Sequence, residues 1–182
     1  MSNPSLMSLL KQRRATVSTR YTELTRNEAL ILLHAIIPWA LQQRTVTYGH
    51  LHDQYRMSLD VERVDPRELN KKIVVLNIVL LELAKRTGDV TMPPISAIII
   101  NSKTREAHED SKPFILDYLK ISNVPGADLP ERAGLAWGAT AWRWALRVVE
   151  RAVWDYKGWE NLKAMIIAMD EKEFQTLRTD RQ

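Results

Sequence analysis

The stretch from Asp65 to Gly88 limits what this chain can fold into more than any other. Asp65-Pro66-Arg67-Glu68 combines an acidic cap, a proline at the first helical position and a glutamate three residues after the cap, which together start a helix. The helix is predicted to end near Arg86, with Gly88 supplying the left-handed terminating position. Between these signals Leu69, Ile73, Leu76, Leu80 and Leu83 recur at helical spacing. Val74, Val75, Ile78, Val79 and Leu81 extend the apolar surface nearly all round, so the helix must be covered on several sides. The neighbours that cover it are also predominantly helical, and the expected fold class is mainly α.

Upstream, Thr25 and Glu28 have the spacing of a capping box, and Leu30, Leu33, Ile37 and Leu41 give an apolar stripe that runs to about Gln43. Pro38 is expected to kink or break this helix. Thr45 to Tyr48 is short and strand-like, and Thr47 is placed to cap a second helix that ends about Met57. Downstream of Gly88, Met92-Pro93-Pro94 stops regular structure, and the β-branched run Ile95 to Ile100 reads as a strand. Asn101 to Thr104 turns it, with a returning strand over Arg105 to His108.

From Pro113 the pattern is helical again, interrupted at Ser122 to Asp128. Leu129-Pro130-Glu131 can open a long helix through Tyr156, with Trp142, Leu146, Val149 and Val153 as its core stripe. Gly158 separates it from a last helix, Trp159 to Met169, before a polar tail. The expected organisation is a basic arm over 1–24, a winged-helix-like unit with a small β-wing over 25–110, and a helical C-terminal extension over 111–182 packed on it.

With no cysteine, thiolate metal sites, disulfides and a cysteine nucleophile are excluded. The longest apolar runs are too short or too interrupted to span a bilayer, so no membrane association is expected and the cytoplasm is the default location. The net charge of +4 is localised: Lys11, Arg13, Arg14 and Arg20 stand in an arm without acids, and the rest of the chain is balanced. Such an arm can release counterions from phosphates, and it also fits a solvated terminus.

Two short motifs add a resemblance. Val46-Thr47-Tyr48-Gly49-His50-Leu51 resembles the element that opens the helix-turn-helix of alkylguanine DNA alkyltransferases and alkyltransferase-like proteins. Pro93-Pro94-Ile95-Ser96-Ala97 stands where that family places its Pro-Cys-His-Arg active site. The likeness covers residues 25–110 and implies a DNA-binding scaffold. The missing thiol rules out alkyl transfer by the family's mechanism.

On that resemblance the third helix is the one that enters a groove, presenting Arg67, Asn70, Lys71 and Lys72 from its first turns. Lys103 and Arg105 of the wing, and Arg13 and Arg14 of the arm, complete the expected nucleic-acid contacts. A second candidate surface lies on the long C-terminal helix, where Arg143, Arg147 and Arg151 recur at spacing four beside Trp144, which points away from the core stripe. Trp144 and this row are the expected protein-partner contacts. His50, His52 and Asp53 do not make a metal site, because positions two apart on a helix point about 200° apart. No pattern requires a cofactor. The polar cluster Asn101, Lys103, Arg105, His108, Glu109 and Asp110 matches no catalytic spacing and fits a solvated wing tip.

The leading expectation is a non-enzymatic protein associated with DNA or RNA, an accessory or regulatory factor of the kind found in bacterial or phage systems. A protein–protein adaptor or oligomerisation module built on the same scaffold stands beside it. An enzyme whose site is not recognisable in the sequence is the third reading.

Overall fold

A computed structural model describes residues 23–58, 65–122 and 138–167. Among them are six α-helices: α1 (Glu23–Leu41), α2 (Tyr48–Ser58), α3 (Pro66–Thr87), α4 (Lys112–Ile121), α5 (Ala139–Asp155) and α6 over 159–167. Two strands of two residues each, β1 (Val46–Thr47) and β2 (Ile99–Ile100), complete the regular structure with two short 3-10 turns, Ile95–Ile98 and Glu109–Ser111. The fold is mainly α.

Helix α3 forms as its end signals dictate. The Asp65 carboxylate accepts from the Arg67 amide at 2.8 Å, Pro66 occupies the first turn, and Gly88 closes the helix in the left-handed region at φ 70°. Leu69, Ile73, Leu76, Leu80 and Leu83 are all buried, as are Val75, Ile78 and Val79. Burying each such side chain stabilises by about 1.5–3 kcal/mol, so this helix organises the core. It packs chiefly on α1.

Helix α1 is more deeply embedded than one stripe predicts. Ile31, Leu32 and Ile36 are buried with Leu30, Leu33 and Ile37, whereas Leu41 is 42% exposed. The helix touches α2, α3, α5 and the first 3-10 turn, and so has little free face. It also continues through Pro38, which falls in its last turn. Thr25 lies inside α1, and the Glu28 side chain pairs with Lys72 of α3. Residues 1–22 and the start signal at Leu129 to Glu131 lie outside the described residues.

The run Ile95 to Ile100 is only in its last third a strand. Ile95–Ile98 winds as a 3-10 turn, and β2 pairs with β1 in parallel, Val46 opposite Ile99 and Thr47 opposite Ile100. The expected returning strand is reduced to one antiparallel bridge, Ile100 to Ala107. The reason is burial on every side: all six residues from Ile95 to Ile100 are inside, so no alternation between a core face and a solvent face holds the segment extended. Ser96 adds a local constraint, its hydroxyl donating to the Asn77 side-chain carbonyl of α3 at 2.9 Å with both residues buried.

The C-terminal helices share the same core. Trp142, Leu146, Val149 and Val153 of α5 are buried, and α5 packs on the first 3-10 turn and on α4. Trp159 of α6 is fully enclosed, its indole N–H donating to the Val153 carbonyl at 2.6 Å. None of the described helices is long and apolar enough to cross a membrane.

Candidate functional site

The described chain places two non-glycine residues at positive φ, Gln43 at 54° and Arg105 at 61°. Such a conformation costs an ordinary L-residue about 1–2 kcal/mol, and it persists where the surroundings enforce it. Both residues line one open cleft of about 660 Å³.

Each wall of the cleft has a local origin. At the end of α1 the Arg44 amide donates to the Trp39 carbonyl at 2.9 Å and the Gln43 amide to the Ala40 carbonyl at 3.0 Å. This is the paired hydrogen-bond pattern of a helix C-terminus closed by a left-handed residue, with Gln43 where glycine usually stands. It turns Arg44 sharply out of the helix, and the guanidinium sits 5.1 Å above the Trp39 ring centre. The second wall is the turn after β2. Asn101 holds it from inside, its side-chain carbonyl accepting from the Lys103 and Thr104 amides at 2.8 and 3.2 Å. The Arg105 amide donates to the Asn101 carbonyl at 2.9 Å.

Helix α5 supplies the third wall. Arg143, Arg147, Glu150 and Trp154 line the cleft, and at helical spacing these four positions fall within about 60° of arc. The cleft therefore gathers four arginines, Arg44, Arg105, Arg143 and Arg147, against two acids, Glu106 and Glu150. Burial raises the Glu150 carboxyl above the usual carboxylate range, and Arg105 and Arg147 pull it only partly back.

A second concavity of about 530 Å³ lies against the other side of the same turn, with Tyr48, His52, Asn70, Asn101 and His108 among its lining. Thr104 and Glu106 border both spaces. Burial pushes the Tyr48 hydroxyl well above its ordinary value, with the His108 backbone opposing and Asp110 adding to the shift. His50 points elsewhere and meets the Trp39 ring edge-on at 5.0 Å. No group of three or more metal-ligating side chains occurs among the described residues.

The residues singled out in the sequence separate into different places. Arg105, Arg143 and Arg147 meet in the arginine cleft, although the wing and the C-terminal row are expected to form different surfaces. Asn70 lines the second concavity. Arg67 and Lys103 are exposed, and Lys71 is exposed but paired with Glu68. Lys72 is not a free cation at a helix start: it pairs with Glu28, and the two side chains are only 13% and 11% exposed. Arg151 is exposed but lies farther round α5 than the cleft-lining residues. Trp144 is half-buried, packs against the core and is not among the residues that line either concavity. All five described tryptophans are buried or half-buried. Arg13 and Arg14 lie outside the described residues.

Arg44, Glu150 and Trp154 are absent from the sequence-derived set. For the last two a signal existed, since Arg143, Arg147, Glu150 and Trp154 form one helical stripe. Following the row to Arg151 instead leaves that stripe. Ser96 is fully buried and hydrogen-bonded to Asn77. Comparison with protein-family profiles, with curated proteins and with solved structures gives no match for this chain.

Proposed function

We propose that the protein binds nucleic acid through the cleft between the end of α1, the turn after β2 and α5. The observation that carries this reading is the convergence of Arg44, Arg105, Arg143 and Arg147, from three separate segments, on one concave surface. Arginine keeps its charge at any physiological pH and presents a planar fork of donors that matches phosphate oxygens. The two left-handed backbone positions support it, because they hold Gln43 and Arg105 at the cleft in a conformation their side chains do not favour. On this reading residues 25–110 act as a winged-helix-like scaffold whose turn after β2 is the wing. Helix α5 completes the binding surface, and the role is that of an accessory or regulatory factor.

Binding to labelled oligonucleotides at several salt concentrations tests this. Changing Arg143 and Arg147 together to Ala removes two phosphate partners, so affinity falls for all sequences and the slope of log K against log salt becomes shallower by roughly 1.5. Both side chains are exposed, so the fold is retained. An unchanged slope and affinity would overturn the reading.

A further inference from the structure

The walls of the arginine cleft distinguish two ways of holding a nucleic acid. A duplex offers phosphates and groove edges, but its base faces are stacked and its pairing edges are occupied. Of the two, it is the unpaired strand that brings a base face together with its unoccupied pairing edge into a concavity. Helix α5 presents a partner for each. Trp154 is half-buried, packs against the core and also lines the cleft on the same stripe as Arg143 and Arg147, and an aromatic ring beside cations is the usual stacking platform for an unpaired base. Glu150 stands on that stripe as well. A carboxylate among phosphate-binding arginines is repulsive unless it faces something other than phosphate, and the amino groups of cytosine, adenine and guanine are donors suited to it. The open volume of about 660 Å³ is large enough to receive a nucleotide.

From these features we infer that the cleft takes an unpaired nucleic-acid strand. One base seats against Trp154 with its amino edge toward Glu150, and Arg105, Arg143 and Arg147 hold the flanking phosphates. The inference rests on the proposed nucleic-acid reading of the cleft and narrows it.

The test uses the full chain and three probes. These are a labelled single strand of about 12 nucleotides, within the site sizes of strand-binding folds, the same strand annealed to its complement, and a free nucleoside monophosphate. The single strand is expected to bind at least about tenfold more tightly than the duplex, and Trp154→Leu to lose about tenfold for the strand while leaving the duplex unchanged. Glu150→Ala should abolish a preference for cytosine-rich over thymine-rich strands. Should the leucine variant melt at a lower temperature, Trp154→Phe decides: it keeps a stacking ring, so binding persists while part of the strand-induced quenching of intrinsic fluorescence disappears. Equal affinity for strand and duplex, both weakened by the Arg143 and Arg147 double variant and neither by Trp154→Leu, overturns the inference and leaves the nucleic-acid reading standing. A monophosphate that binds as tightly as the strand also overturns it, making the cleft a site for free nucleotides. No binding of strand or duplex overturns both.

Discussion

Lys71 and Lys72 are neighbours of the same type, and their surroundings assign them different work. The ammonium of Lys71 meets Glu68 in solvent, 69% exposed, where an ion pair contributes about 0–1 kcal/mol. Lys72 joins α3 to α1 through Glu28 in a nearly enclosed pair, where removing the ammonium costs more than at a surface. Lys71→Ala is therefore expected to change stability by less than about 0.5 kcal/mol. Lys72→Ala should cost about 3 kcal/mol in urea unfolding. Equal losses would contradict the assignment. A second contrast concerns pH. Burial acts to raise the Asp89 carboxyl, but hydrogen bonds from the Thr91 hydroxyl, the Tyr156 hydroxyl and the Thr91 amide outweigh it and lower the folded value below 3.8. The stabilisation is thus present above that ordinary value and is lost as pH falls through the folded one. Tyr156 donates to Asp89 at 2.6 Å. Tyr156→Phe should cost about 1 kcal/mol at neutral pH, and the difference from the parent should shrink in strong acid. A difference independent of pH would mean that packing, not this hydrogen bond, is what the hydroxyl supports.

Helix α3 was legible from both ends inward, because Asp65-Pro66, Gly88 and an apolar surface nearly all round leave few alternatives. Leu76 is fully enclosed in it, and Leu76→Ala is expected to lower unfolding free energy by about 2–5 kcal/mol. A loss under about 0.5 kcal/mol would place the residue at a surface. The stripe of α5 was readable for the same reason, its apolar residues recurring on one face. Ile95 to Ile98 was not: β-branched residues favour strands when a sheet offers them two faces, and here the segment is surrounded. The place of Arg44 was hidden differently. It depends on a left-handed Gln43 after α1, and nothing in Gln43 itself signals that conformation. The pairing of Lys72 with Glu28 was not legible, because helix periodicity gives the direction of a side chain and not what another helix brings to meet it.

The cleft belongs to no single part of the chain. One arginine precedes β1, a second follows β2, and two more wait on α5, almost a hundred residues after the first. The parallel pairing of β1 with β2 likewise joins segments some fifty residues apart. That is why charge spacing along the sequence put Arg105 on one surface and Arg143 and Arg147 on another, whereas all three line one cleft. The same arrangement fixes a sequence of events during synthesis. Residues 44 and 105 emerge from the ribosome well before 143–154, and contacts between distant segments form only after the intervening chain is available. The nascent protein thus carries two isolated arginines and no enclosing wall until α5 docks. Whatever the cleft accepts, it becomes able to accept only once α5 has been made and has docked, so a nascent chain still short of Trp154 lacks the wall that completes it.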